Sequence, residues 1–184
     1  SGKQEGTGEM VDSAGTRYTG EWKNGERCGQ GVEKRKDGRT YTGEWLANKM
    51  HGTGVLEDSG DRYEGSFFEG RRCGHGVQTY TNTGARGSGG ISSLTAISDA
   101  AKAASAAPGS SLLGRLRSKA RDQLPLKYVG SWKEDQHHGR GRLTRVNGQW
   151  EECVYSEGAE IEMLDRGTDL ADGKHECTYP NGDV

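Results

Sequence analysis

From Tyr18 to Lys23 large apolar or glycine positions alternate with polar ones: Tyr18, Gly20 and Trp22 are separated by Thr19 and Glu21 and followed by Lys23. Side chains on a strand alternate with period two, so this stretch predicts a strand with two rings and a glycine on one face and polar groups on the other. The same alternation returns at Tyr41-Gly43-Trp45, Tyr63-Gly65-Phe67 and Tyr128-Gly130-Trp132. Each copy is followed by a Gly-x-Gly, at 29–31, 52–54, 74–76 and 139–141. In the first copy we read a turn at Lys23-Asn24-Gly25, a second strand from Val32 to Arg35 opened by the Gly-x-Gly, and a closing turn at Lys36-Asp37-Gly38. Asn-Gly and Asp-Gly are strong hairpin turns because these residues tolerate positive φ. One repeat of about 22 to 23 residues is then one hairpin, and tandem units of that length stack into an extended architecture. Glycine between the aromatics leaves room for rings to lean over the backbone and meet rings of neighbouring repeats, which makes those rings the predicted core.

The run Tyr-x-Gly-x-Trp, then Gly, Gly-x-Gly and Asp-Gly resembles the MORN repeat (membrane occupation and recognition nexus). The likeness covers residues 16–84 and 127–148, with partial copies at both ends. Asn48 and Asp135 depart from it at the first turn glycine, where either can still adopt the left-handed conformation, and Phe67 replaces Trp. The resemblance implies an all-β fold, an elongated single-layer antiparallel sheet of hairpins, used for holding proteins together or for touching lipid. It also brings typical settings, ciliary radial spokes and other cytoskeletal scaffolds, and a junctional-membrane or enzyme-regulatory use in other members.

Composition changes the picture only in degree. With 30% hydrophobic residues and 31 glycines among 184, the chain has too little apolar material for one conventional core, whereas a single-layer sheet needs less. Gly6-x-Gly8 stands ten residues before Tyr18, and Tyr179-Pro180-Asn181-Gly182-Asp183 resembles a turn before another strand. More repeats on either side are therefore expected. A net charge of −2 gives no general attraction to nucleic acid, and no apolar run approaches a membrane span.

Candidate chemistry is sparse. Cys28 and Cys73 share a register with His51 and His138, ten residues after each tyrosine. Successive repeats lie roughly 10 Å apart, however, while zinc ligands sit about 2 Å from one ion, so no metal site is assigned and reduced thiols are expected. His137-His138 is read as a solvated turn. The Gly-x-Gly pairs lack the strand-loop-helix setting and Lys-Ser/Thr of a phosphate loop. No catalytic residue and no cofactor are assigned, and the chain is not expected to be an enzyme.

Between the third and fourth copies lies an insertion, residues 85–126. Its start is glycine-rich and predicts flexibility; residues 92–107 are alanine-rich and predict a helix ended by Pro108-Gly109. A second helix is predicted from Ser110 or Ser111 to Leu124, with Leu112, Leu113 and Leu116 on one face and Arg115, Arg117, Lys119 and Arg121 around it. Three docking places compete for this basic amphipathic segment: its own sheet, a partner protein, and an anionic lipid or acidic microtubule-like surface.

The sequence thus divides into repeats over 1–84, the insertion over 85–126, a repeat and a degenerate repeat over 127–156, and an irregular acidic segment with a partial repeat over 157–184. In the degenerate part, Trp150, Glu152 and Val154 are expected to continue the alternation. The functional expectation is a non-catalytic scaffold in a cytoskeletal assembly, most specifically a ciliary or flagellar axoneme of the cytoplasm, with the insertion selecting the partner. Protein contacts are assigned to Tyr18, Trp22, Tyr41, Trp45, Tyr63, Phe67, Tyr128 and Trp132, and to the insertion residues named above. Anionic lipid, through the insertion, and self-association stay open as further partners, and nucleic acid is not expected.

Overall fold

The computed structural model describes residues 2–81 and 124–169 and the backbone of 175–178. Twelve strands lie in them: β1 (Gly6–Val11), β2 (Arg17–Lys23), β3 (Glu26–Lys34), β4 (Thr40–Leu46), β5 (Lys49–Asp58), β6 (Asp61–Phe68), β7 (Arg71–Thr79), β8 (Pro125–Lys133), β9 (Gln136–Arg145), β10 (Gln149–Ser156), β11 (Ala159–Asp169) and β12 (His175–Thr178). They form one antiparallel sheet in chain order, which at about 4.8 Å per strand is roughly 50 Å across. The helices expected within the insertion fall outside the described residues.

Each repeat is a hairpin closed by a two-residue turn in which both residues have positive φ, the geometry that matches the twist of the flanking strands. Asn48 (φ 67) and Asp135 (φ 68) take the place that Gly25 (φ 81) and Gly70 (φ 86) fill elsewhere, so the two departures from glycine keep the turn intact. The second turn residue also binds the preceding repeat. The amide of Asn48 donates to Arg27 O (3.1 Å), that of Gly70 to Met50 O (2.8 Å), that of Asp135 to Arg72 O (3.1 Å) and that of Gly158 to His137 O (3.1 Å).

The second strand of a repeat begins earlier than its Gly-x-Gly suggests. β3 starts at Glu26, directly after the turn, and Gly29-Gln30 form a bulge inside it: the register passes from Gly20↔Gly31 to Glu21↔Cys28. The same shift recurs opposite Gly43/Glu44 and Gly65/Ser66. The carboxylate of Glu21 accepts from the Gln30 amide (2.8 Å), and that of Glu44 from the Thr53 amide (2.9 Å), satisfying amides that the bulge removes from the ladder.

Two regions test the repeat pattern. β7 pairs with β8 through Gly76↔Gly130 and Gln78↔Tyr128, as β3 pairs with β4 through Gly31↔Gly43 and Glu33↔Tyr41. The insertion therefore leaves the sheet register unchanged. At the other region the expected alternation slips by one residue. Cys153↔Gly141 and Tyr155↔Gly139 repeat the pairing of Gly130↔Gly76 and Trp132↔Gly74, so Cys153 and Tyr155 join the core. Trp150, Glu152 and Val154 alternate onto the opposite face, where the Arg142 guanidinium lies 3.9 Å from the Trp150 ring centre. Residues 159–169 of the segment read as irregular form β11, paired along β10 with two register shifts.

Candidate interaction face

Each tyrosine lies flat across two glycines. A Cβ added to Gly54 would sit 2.5 Å from the Tyr41 hydroxyl and 2.6 Å from its ring, and one added to Gly43 would sit 2.8 Å from that hydroxyl. The pairs Gly20/Gly31, Gly65/Gly76 and Gly130/Gly141 floor Tyr18, Tyr63 and Tyr128 likewise. This is why the sequence keeps Tyr-x-Gly and a second glycine eleven residues later. The tyrosine hydroxyls donate back to the main chain: Tyr18 to Glu21 O (3.2 Å), Tyr41 to Glu44 O (3.0 Å), Tyr63 to Ser66 O (3.1 Å) and Tyr128 to Ser131 O (3.0 Å). Burial pushes these phenols upward, Tyr18 to about 12, so they stay protonated donors at neutral pH.

The rings then meet edge to face in one zigzag. Trp22, Tyr18, Trp45, Tyr41, Phe67, Tyr63, Trp132 and Tyr128 follow one another at centroid separations of 5.0–5.3 Å with planes 82–87° apart, a geometry favoured by the ring quadrupoles. All eight residues assigned to protein contacts from the sequence thus come together as a row. They are buried, 0–7% exposed, so they build the face without lying on its surface.

What covers the rings is the residue nine positions after each tyrosine: Arg27, Met50, Arg72 and His137. Arg27 stacks over Trp45 (4.2 Å) and Tyr18 (5.3 Å), and it binds Glu33 and Asn48 O (2.8 Å). Arg72 stacks over Trp132 (4.4 Å) and Tyr63 (5.6 Å), reaching Asp135 Oδ1 (3.0 Å) and Gln78 (3.1 Å). Each arginine joins two repeats, and Arg72 does so across the insertion. His137 is the fourth cover. It stacks on Tyr128 at 3.7 Å and meets Tyr80 Oη through Nε2 at 3.3 Å. Its reading as a solvated turn residue is corrected: it is 7% exposed, and burial, with the nearby Arg72 charge, pulls its pKa down to about 4. His138 alternates to the other face, with Cys28, His51 and Cys73 at the same register. Among the described residues no group of three His, Cys, Asp or Glu side chains is placed to hold a metal ion.

The face carries a groove of about 720 Å³ beside Trp22, Arg27 and Glu33 and one of about 370 Å³ over Met50 and Leu56. Met50, Leu56, Tyr63 and Phe67 supply the apolar surface of the second. One end is rimmed by Arg39, Asp58, Asp61 and Tyr80, the other by Glu134 and Asp135. Sequence reasoning missed these grooves, and it missed the covering arginines because the covering position varies in residue type from copy to copy. The insertion residues Leu112, Leu113, Arg115, Leu116, Arg117, Lys119 and Arg121 lie outside the described residues.

A family model described as the MORN repeat matches residues 18–38, 41–61, 63–84 and 128–150, the same four stretches that build the ring zigzag. No curated protein matches the chain. The chain is a MORN-repeat protein with four such repeats.

Proposed function

We propose that this MORN-repeat chain is a non-catalytic scaffold holding protein partners in a cytoskeletal assembly, and that its setting is the axoneme of a cilium or flagellum. The observation that supports the scaffold reading most directly is mechanical. The ring zigzag and the sheet register run unbroken from β7 to β8 although the insertion separates them in sequence, so one continuous platform carries all four repeats. Such an arrangement suits holding other chains at fixed spacing, since contacts placed on rigid elements lose less on binding. The axonemal setting rests on where repeats of this kind are used, an analogy from family to chain.

Detergent extraction of ciliated cells carrying the tagged full-length protein, followed by crosslinking mass spectrometry, tests both parts. Retention in the detergent-insoluble axoneme with crosslinks to its structural subunits is the expected result. Release with soluble or membrane material would overturn the axonemal setting. Absence of crosslinks from the groove face to any protein would overturn the scaffold reading. Deleting residues 85–126 in the same assay is expected to reduce retention, as partner selection by the insertion requires.

A further inference from the structure

We propose that the sheet face opposite the rings carries, over β8 and β9, a docking strip for an extended acidic segment of a partner protein, with one carboxylate of that segment seated in the bulge beside Ser131 and Arg140. The proposal rests on the scaffold reading, for which it names the chemistry of one partner.

The seat is defined by the other repeats. In the first two, the bulge holds a carboxylate: Glu21 and Glu44 accept from the Gln30 and Thr53 amides at 2.8 and 2.9 Å, and a Cβ added to Gly52 would meet the Glu44 carboxylate at 2.5 Å. The third and fourth repeats keep the bulge, since Gly74 (φ 57) and Gly139 (φ 58) match Gly29 (φ 54) and Gly52 (φ 55). At the carboxylate position, however, they carry Ser66 and Ser131. A Cβ added to Gly139 would meet only Ser131, at 3.6 Å from its Cβ and 3.7 Å from its Oγ. The space that a carboxylate fills in the first two repeats is therefore open. Among the described residues no side-chain oxygen caps the Arg140 amide, the counterpart of those of Gln30 and Thr53.

Charge singles out the fourth repeat. Alternation along β8 and β9 puts Lys127, Lys133, Arg140 and Arg142 on this face. Among the described residues none of the four forms an ion pair, although Arg142 stacks on Trp150. The cations of the third repeat are engaged, Arg62 by Glu57 and Glu64, and Arg71 by Glu134. Between Pro125 and Arg145 the only carboxylates, Glu134 and Asp135, sit in the turn. The resulting strip is narrow. Lys127 and Lys133 lie about 20 Å apart along one strand, and the width is a single strand pair. Glu152 borders it on β10, opposite Arg142, and Glu64 borders it beyond β7. A planar anionic surface would meet those two carboxylates, whereas an extended peptide of about six residues runs between them. Its carboxylates reach charge-assisted hydrogen bonds with the cations.

The test uses the full chain. A fluorescein-labelled peptide of about ten residues with glutamate at alternate positions is titrated by anisotropy, beside its glutamine counterpart and vesicles of phosphatidylserine and phosphatidylcholine. Saturable, salt-sensitive binding of the glutamate peptide is expected, and none of the glutamine peptide. Ser131→Glu supplies the carboxylate that the first two repeats carry, and should weaken binding by about tenfold or more without lowering the denaturation midpoint. Gln136→Glu adds the same charge to the same face outside the bulge, and should weaken it by no more than about threefold. Lys127→Gln combined with Arg140→Gln, both exposed side chains, should abolish it. No binding of the glutamate peptide, equal losses for Ser131→Glu and Gln136→Glu, indifference to the double substitution, or binding to vesicles alone would each overturn the proposal. Any of these failures leaves the scaffold reading standing, since that reading is measured in extracted cells.

Discussion

Repeats one to four and the strands that follow them, β10 and β11, pack differently, although β10 meets β9 in the register by which one repeat meets the next. In the repeats a tyrosine lies across two glycines, and every ring edge finds the next ring. In β10 the position equivalent to the tyrosine is Glu151 and the one equivalent to its glycine is Cys153, which is fully buried. The ring row consequently ends at Tyr155, 5.6 Å from Tyr128, and β11 presents Ile161 and Met163 at 64% and 45% exposure. The lesson is that glycine is required here by the ring above it. Remove the ring and a side chain fits; keep the ring and nothing but hydrogen does.

The comparison can be broken most forcefully at the rings. Trp45→Ala, which empties a buried site between Tyr18 and Tyr41, is expected to cost about 4 kcal/mol in chemical denaturation. A cost below about 1 kcal/mol would show that the repeats do not depend on ring contacts. Next comes Gly54→Cys, which puts the residue found at 153 beneath Tyr41. Crowding the phenol should destabilise by about 3 kcal/mol or more, while Cys153→Ala in β10 should cost only about 1–2 kcal/mol. Equal effects would mean that tyrosine position is not what demands glycine.

A third experiment separates the fourth repeat from the others through pH. His137 is buried neutral, with a folded-state value near 4 against an ordinary 6.5. Its contribution is therefore complete above pH 6.5 and is lost as pH falls from there toward 4. The difference corresponds to about 3 kcal/mol. Substitution by Met, the residue the second repeat uses at this position, should remove that part of the acid sensitivity, and an unchanged stability profile between pH 4 and 6.5 would refute the assignment. The smallest effect is expected on the opposite face. Leu46, 54% exposed, changed to Ser should alter stability by no more than about 0.5 kcal/mol, and a larger loss would mean that this face is covered.

The sequence made the strands legible because a two-residue alternation of Tyr, Gly and Trp has one physical reading, and the four matched repeats coincide with it. It made the short turns legible too, since Asn48 and Asp135 are competent at positive φ. Three features were hidden. The bulge at Gly29-Gln30 looks, in sequence, like the start of a strand, because a carboxylate between the glycine and the tryptophan, Glu21 or Glu44, gives no hint that it caps an amide across the sheet. The cover of the rings escaped notice because Arg27, Met50, Arg72 and His137 share a position and a task but no chemistry. Trp150 misled most directly. An aromatic after a turn resembles the first ring of a new repeat, but a one-residue slip moves every side chain to the other face, and the stack with Arg142 holds it there.

The unchanged pairing of β7 with β8 has a consequence for protein engineering. Closing a loop costs only about 0.6 kcal/mol more for each doubling of its length, and here the strands on either side already meet in full register. Residues between Thr81 and Leu124 therefore mark a port into which an epitope, a fluorescent reporter or a whole binding domain can be spliced. The four repeats would serve as a ready-made chassis, their spacing undisturbed by the cargo.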